Sequence, residues 1–538
     1  MAYQKGEDVE IKIPERMNIA SIFVDEKAKG KYADKTAIYF AGELPRYPPR
    51  NYTYRKIQEL VNKTGNALKS LGVQPEDRIL MIVLDSIEFI ATFFGAIKIG
   101  AIPIPVNTRL TGDQYQYMLH DSRAKVLVVH EEIADNIKDI SQFKYLKHFI
   151  VIGKAKPGQI SYYDIVNPAS PQLDALEVSK DDFAFWLYSS GTTGTPKGIV
   201  HLQHDMVYCA DTFFKHVVRL TEKDIVLSVS KLSFAYGLGN GMYAPFRVGA
   251  SAVLFPGVPQ PEKVLELIEK YQVTVLFALP MLYSRMLAIK DAEKKYNVKS
   301  LRLCLSGLEP LHPTIYHEWK QRFGVDILDV IGSTEILHVF IANREGKLKP
   351  GTTGVAVPGY ELKTVDDEGK DVPVGQRGRL MVRGDSIGAC YWHQHDATKK
   401  TFQGEWIDTG DLYIKDDDGF WTHAGRAGDM MRNKGLWVSP VEVESAIAAH
   451  PAVFEVAAVQ SFTKEGFETV KAFIMLKDGY KPSTHLEQEI KDFLKSNGLL
   501  GYKVPELIEF TDELPKTPTG KIQRYKLRQQ ERQRMGFI

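Results

Sequence analysis

The chain has 538 residues, more than one hydrophobic core serves, so two or more domains are expected. Its 68 lysines and arginines nearly cancel its 67 aspartates and glutamates, and the net charge of +1 excludes a global attraction to nucleic acid or to an anionic membrane. Three cysteines, Cys209, Cys304 and Cys390, lie far apart without metal-ligand spacing, which argues against a disulfide or zinc framework and for a reducing, cytoplasmic compartment.

From the N-terminus, residues 1–16 are mostly polar and charged and carry no signal-peptide pattern. Residues 79–106 are the most apolar, but Asp85, Glu88, Lys98, Pro103 and Pro105 interrupt them. That pattern predicts a buried strand, helix and strand and no membrane span. Residues 183–187 read as a further strand, and Tyr188-Ser189-Ser190-Gly191-Thr192-Thr193-Gly194-Thr195-Pro196-Lys197-Gly198 reads as a phosphate cradle. Glycines let backbone N–H groups approach an anion, hydroxyls add donors, and Lys197 adds positive charge. A P-loop ends in Gly-Lys-Ser/Thr, whereas here Pro196 precedes Lys197 and Gly198 follows it. A nucleotide held here is therefore not handled as in a P-loop ATPase. His201 and His204 read as structure at a helix entry, not as a metal site.

Between residues 224 and 330, apolar runs at 225–229, 252–255, 273–277, 301–305 and 326–330 alternate with helix-length segments such as 261–271. This is the pattern of βαβ units feeding a largely parallel sheet, whose ligands gather at the carboxyl ends of its strands. Phe234-Ala235-Tyr236-Gly237, Ser306-Gly307-Leu308-Glu309-Pro310 and Ile331-Gly332-Ser333-Thr334-Glu335 fall at those ends. After about residue 360 the character changes to short strands with Asp-Gly turns, including a hairpin at Asp418-Gly419. Beyond a boundary at 425–429, Ser439-Pro440-Val441-Glu442 supplies an N-cap, a proline at the first helical position and a capping-box glutamate. Strands at 453–460 and 470–476 and a helix at 486–496 complete a small α+β domain, so the predicted division is 1–427 and 428–538.

Taken in order, these clusters resemble the acyl-adenylate-forming enzymes: acyl- and aryl-CoA synthetases, luciferases and the adenylation domains of peptide synthetases. Residues 188–198 are similar to that family's phosphate loop, and 331–335 to its Gly-x-Thr-Glu element. Glu405-Trp406-Ile407-Asp408-Thr409-Gly410-Asp411 is similar to its Trp/Tyr-x-x-Thr-Gly-Asp element, and Gly425-Arg426 to the start of its crossover motif. Pro515-Lys516-Thr517-Pro518-Thr519-Gly520-Lys521-Ile522 is similar to its terminal lysine motif. Within the family, residues 234–241, 331–338 and 437–444 carry a likeness to benzoate-CoA ligases.

The resemblance implies a large N-terminal α/β domain, with mixed and parallel sheets flanked by helices and a distorted β-barrel-like part. A small mobile α+β C-terminal domain follows it. It implies an ATP- and Mg²⁺-dependent acid–thiol ligase: a benzoate-like carboxylate attacks the α-phosphorus of ATP, and the thiol of coenzyme A then displaces AMP from the acyl-adenylate. Lys521 is implied to meet the α-phosphate and the carboxylate, Thr334 to hydrogen-bond the α-phosphate, and Glu335 to hold Mg²⁺. Ser189, Ser190, Gly191, Thr192, Thr193, Gly194 and Lys197 would grip the outer phosphates. Glu309 and Pro310 would flank adenine with Asp329 near its amine, Ile331 and Gly332 would touch the nucleotide, and Asp411 and Arg426 would take the ribose.

The acyl-pocket candidates are Phe234, Ala235, Tyr236, Gly307, Gly332 and His338, a narrow slot for a flat acid. Plain core packing is the open alternative for the aromatic run and for His338. Phe234, Lys434, Gly435 and Trp437 are implied in the thioester step, and Gly428 stands at the hinge, where relatives carry aspartate or lysine. Leu308 stands where benzoate ligases tend to carry glycine and is expected to narrow the pocket, while Gln203 replaces a common histidine. The rival readings are a ligase for cyclic aliphatic, branched or medium-chain acids, an enzyme loading a separate carrier protein, and a non-catalytic nucleotide sensor. A homodimer is the base-rate expectation.

Overall fold

Runs of Val, Ile and Leu become strands buried along their whole length, as in Val275–Ala278 and Leu303–Ser306. The computed structural model describes residues 1–42, 47–137, 140–190, 196–433, 436–463, 466–516 and 522–534. The chain forms two units, a larger one of Lys5–Glu361 with Val382–Ile407 and a smaller one of Met1–Gln4, Leu362–Met381 and Asp408–Ile538.

In the larger unit the described residues form a nine-stranded sheet in the order Val355–Ala356, Val339–Ala342, Ile327–Gly332, Leu303–Ser306, Val275–Ala278, Ile225–Ser228, Ser251–Leu254, Thr36–Phe40, Arg50–Thr53. Pairing is parallel from Ile327–Gly332 through Thr36–Phe40 and antiparallel at both margins. The helix Pro261–Tyr271 starts on proline, stops on left-handed Gln272, and packs Val264, Leu265 and Ile268 into the core beside the sheet. Covered strands need no polar face, which is why the sequence has continuous apolar runs where a half-exposed strand would alternate.

Two runs shift. Residues 273–277 and 301–305 yield strands that begin two residues later, because Val275 pairs with Leu303 and the preceding residues serve the turn. Ser306 then pairs with Asp329, which brings the predicted ligand loops into one register.

A second parallel sheet runs Ile102–Pro105, Arg78–Ile82, Val126–His130, His148–Ile152, Ile160–Ser161. It contains the predicted strand, helix and strand as Arg78–Ile82, Ile87–Lys98 and Ile102–Pro105. Lys98 is buried at a cost that Asp25 and Asn62 offset, each 2.6 Å from its Nζ. Among the described residues no helix is long and apolar enough to cross a membrane.

In the smaller unit, Trp406–Lys415 and Trp421–Arg426 form the hairpin predicted at Asp418-Gly419. The helix Pro440–Ala448 starts where Ser439 Oγ accepts from the Glu442 N–H. Val453–Phe462 and Glu468–Leu476 pair antiparallel, with Leu507–Phe510 parallel to the latter. Val443, Ile447, Val456, Ile474 and Ile490 fill the core under them. Ion pairs hold the last helix, Arg524–Arg534: Glu531 with buried Lys471, Arg524 with Glu444, and Arg528 with Asp429.

Candidate active site

The phosphate cradle lies between two antiparallel strands, Phe183–Ser190 and Pro196–Leu202, with Ser189 opposite Lys197. Residues 191–195, and with them the predicted Gly191, Thr192, Thr193 and Gly194, lie outside the described residues. The hairpin is anchored on both sides. Tyr188 donates to Asp121 at 2.6 Å, and Tyr117 donates to the Pro196 carbonyl at 3.2 Å.

A strap at 386–392 joins this hairpin to the Thr334-Glu335 turn. Ser386 donates to the Ile336 carbonyl, the Gly388 N–H to the Glu335 carbonyl, and the Ala389 and Trp392 N–H groups to Val200 and Gly198, all at 2.8 Å. Within it Tyr391 donates its hydroxyl to Glu335 Oε1 at 2.9 Å, while Lys197 Nζ lies 4.7 Å from the centre of the Tyr391 ring. One side chain therefore fixes a carboxylate and a cation together. A buried pair adds a second tie: His201 donates from Nδ1 to Asp205 at 2.7 Å and from Nε2 to the Thr334 carbonyl at 2.9 Å. The reading of His201 as structural stands, with the addition that its structure supports the candidate site.

The strand end at Gly332 shifts register against Val339–Ala342, and a Cβ on Gly332 would meet the His338 carbonyl at 2.5 Å, so only glycine fits there. Leu337 follows with a positive φ of 68°, a strained backbone of the kind found at functional sites. His338 and Tyr236 stack with ring centres 5.6 Å apart, and His338 also packs on Phe213 and Phe214. Burial drives the His338 imidazole down to about 3, so it is neutral. Ala235 is buried and Phe234 is half-buried at the start of the helix Ala235–Leu238. A Cβ on Gly307 would sit 3.2 Å from Tyr236 Cζ, which puts five of the six predicted pocket residues around this stack.

The loop after Ser306 is tied to Asp329, whose Oδ2 accepts from the Leu311 N–H at 3.3 Å. Glu309 is half-buried and Pro310 exposed. Burial pushes the Asp329 carboxyl up to about 8 against two backbone N–H groups that oppose the shift. Leu308 adopts φ 71°, the left-handed region, and is 38% exposed.

In the smaller unit Asp411 pairs across the hairpin with Arg426, whose Nε donates to Asp411 Oδ1 at 3.0 Å. Gly410 turns the motif at φ 71°, and the Thr409 hydroxyl accepts from the Asp411 N–H and donates to Leu380. Trp437 is half exposed, and the Arg432 guanidinium lies 4.3 Å from its ring. Gly428 lies in the turn Ala427–Asp429 outside the left-handed region, and a Cβ there would meet nothing within 4 Å. This conformation thus does not require the glycine that was read as a permissive hinge. Lys434, Gly435 and Lys521 lie outside the described residues, but Lys516 and Ile522 form a bridge that brackets 517–521.

Sequence reasoning missed Tyr391, the strap, Asp205 and the buried Asn240. The spacing of His201 and Asp205 by four could have signalled their pairing; Tyr391 has no local signal, because it is fifty-six residues from Glu335.

Comparison with known proteins places the whole chain among its relatives. The AMP-binding enzyme family matches residues 24–392 and the AMP-binding enzyme C-terminal domain matches 442–521. A benzoate–CoA ligase of Thauera aromatica is 44% identical over 522 residues, covering 96% of this chain and 97% of the relative. A 4-hydroxybenzoate–CoA/benzoate–CoA ligase of Rhodopseudomonas palustris is 39% identical, over 90% of this chain and 89% of that one. The solved anthranilate CoA ligase AuaEII, in complex with anthranoyl-AMP, superposes with a TM-score of 0.92 at 41% identity, covering 97% and 99% of the two chains. The fold and these matches agree, and the chain belongs to the AMP-binding enzyme family.

Proposed function

We propose that the chain joins an aromatic carboxylic acid to coenzyme A through an acyl-adenylate. A carboxylate oxygen attacks the α-phosphorus of ATP, an O–P bond forms as the bond to pyrophosphate breaks, and the coenzyme A sulfur then attacks the acyl carbon as AMP leaves. The observation that carries the aromatic assignment is the Tyr236–His338 stack of flat rings, against which Gly307 and Gly332 pack closely without side chains of their own. The names of the relatives in the comparison point the same way.

The roles rest on the motifs. Thr334 and Lys521 would meet the α-phosphate and Lys197, with Ser189, Ser190 and 191–194, the outer phosphates. Asp329, Glu309, Pro310, Ile331 and Gly332 would hold the base, and Asp411 and Arg426 the ribose. Glu335 suits a Mg²⁺ ion: it is a hard oxygen donor, and Tyr391 takes one of the several acceptor sites on its carboxylate. No group of three or more His, Cys, Asp or Glu among the described residues could cage a metal, so ATP phosphates would supply most other ligands. When bound, the ion neutralises phosphate charge. The body from residue 428 onward would then turn, withdrawing Lys521 and presenting Lys434, Gly435 and Trp437 to coenzyme A, with Phe234 gating the tunnel. Free Cys209, Cys304 and Cys390 suit a reducing cytoplasm.

The test is a panel of aromatic, cyclic aliphatic, branched and medium-chain acids with ATP, Mg²⁺ and coenzyme A, reading AMP and thioester. Benzoate-like acids are expected to give both in equal amounts. Preference for an aliphatic acid overturns the aromatic assignment, AMP without thioester supports carrier loading, and no pyrophosphate exchange with any acid rejects the enzyme.

A further inference from the structure

We propose that the helix Gly112–Ser122 sets the grip on the outer phosphates of ATP, with Tyr117, Asp121 and Tyr188 as the residues that position it. The proposal rests on the reading of Ser189 and Lys197 as contacts to those phosphates, and it adds the element that holds them in place.

The motivating observation is that one helix ties both strands of the phosphate hairpin. Tyr188 Oη donates to Asp121 Oδ2 at 2.6 Å, and Tyr117 Oη donates to the Pro196 carbonyl at 3.2 Å. Tyr188 precedes Ser189 and Pro196 precedes Lys197, so each tie falls directly beside a proposed phosphate contact. Across the hairpin Ser189 pairs with Lys197 and Ser190 with Pro196, which puts both ties near the last described cross-strand pairs. A third bond, from Trp392 Nε1 to the Asp121 carbonyl at 3.0 Å, fastens the end of the strap to the same helix.

The helix is built to serve as a platform. Thr111 and Gln114 form a capping box at its start, and Arg123 ends it in the left-handed region. Tyr115, Met118 and Leu119 pack into one core with Trp186 and Val200 of the hairpin strands. Tyr117 and Asp121, four residues apart, lie together on one face. Gly198 lets the Tyr188 ring lie across the second strand, since a Cβ there would sit 3.4 Å from that ring and 3.5 Å from Trp392. Burial, with Asp121 adding to it, raises both phenols above their ordinary range, so each keeps its proton and donates.

Strand ends that had to be ordered when ATP arrives would charge their lost freedom against its binding. Ends already tied to a packed helix present Ser189 and Lys197 in place. The ties act on those ends alone. They therefore serve a ligand that carries outer phosphates, and AMP, which lacks them, gains nothing from them.

The experiment measures by calorimetry, without acid, the Kd of Mg²⁺–ATP and of AMP for the unaltered protein and for Tyr188→Phe, Tyr117→Phe, Asp121→Ala and Lys197→Ala. Tyr188→Phe keeps the ring and deletes a hydrogen bond to a carboxylate, so the Kd of ATP is expected to rise about tenfold. Tyr117→Phe deletes a bond to a neutral carbonyl, and about threefold is expected. The Kd of AMP is expected to stay put in both, which also reports that each variant is folded. Asp121→Ala should match Tyr188→Phe, and the two combined should lose no more than either alone. Additive losses overturn the tie between them, and an unmoved Tyr117→Phe removes Tyr117 from the assignment. ATP and AMP weakened alike in Tyr188→Phe overturn the proposal, because the ties then serve the fold. ATP binding unchanged in Tyr188→Phe but weakened in Lys197→Ala overturns it too, and leaves the phosphate reading intact. Lys197→Ala that spares ATP, or weakens AMP as much, rejects that reading and the proposal with it.

Discussion

Around Glu335 the polar groups are tied down: its carbonyl accepts from Gly388, its carboxylate from Tyr391, and the carbonyl of its neighbour Thr334 from His201. Around Tyr236 and His338, in the same unit, contacts run mostly between rings: the two stack on each other, and His338 packs on Phe213 and Phe214. In the proposed roles the first region would handle phosphates, which are the same for every substrate, so it profits from being rigid before the nucleotide arrives. The second would take the acid, where packed rings select by shape. Chemistry and choice are thus separated within one fold.

That separation breaks most visibly at Lys521. Lys521→Ala removes the charge offered to the attacked α-phosphate and should lower adenylation by about 10²–10³-fold, by the same factor for every acid, as read by pyrophosphate exchange. Thioester formation from preformed acyl-adenylate should be nearly intact. A loss that varies tenfold from one acid to another would mean that the lysine also chooses the substrate. A smaller effect is expected at Tyr391. Tyr391→Phe keeps the ring beneath Lys197 and deletes the hydroxyl on Glu335, so half-saturating Mg²⁺ should rise on the order of ten- to hundredfold, the worth of a hydrogen bond to a charged group. Acid preference should be unmoved; an unchanged Mg²⁺ titration would show that the strap leaves Glu335 where it was.

How much of this was legible depended on distance along the chain. The parallel sheet was readable because covered strands are apolar throughout, and the Pro261–Tyr271 helix because proline opens it and its apolar spacing continues to its end. The loop at 188–198, Asp411 and Arg426 announced themselves as short motifs, whereas the pairing of Asp411 with Arg426 appears only across the folded hairpin. Tyr391 did not, since its role comes from the antiparallel pairing of Ile199 with Tyr391, which no local pattern encodes. The strand starts at Val275 and Leu303 were misjudged because an apolar residue in a turn looks like one in a strand.

Asp329 bears on where the two regions meet, next to Ser306 and below the nucleotide loop. Its carboxyl, raised by burial to about 8, stays protonated in the fold at pH values where the unfolded chain would ionise it. Its contribution to stability is therefore full below about pH 4 and is lost as pH rises through about 8. Asp329→Asn should remove that slope, so the variant's melting temperature should gain on the unaltered protein between pH 5 and 8. Equal differences at both ends would mean that Asp329 is ionised in the fold.

The smallest effect is expected at Leu308, where the sequence suggested a narrowed pocket and the backbone suggests strain. A leucine at φ 71° pays roughly 1–2 kcal/mol that glycine avoids. Glycine in turn gives back part of the gain through its freer unfolded chain, about 0.4–1 kcal/mol. With its side chain 38% exposed, Leu308 loses little apolar burial on truncation. Leu308→Gly should therefore leave stability unchanged or slightly raised, by about 1 kcal/mol at most, and leave the ranking of acids as it was. A reordered ranking at unchanged stability would put Leu308 in the slot, and the selecting surface would then extend from the Tyr236–His338 stack to the nucleotide loop.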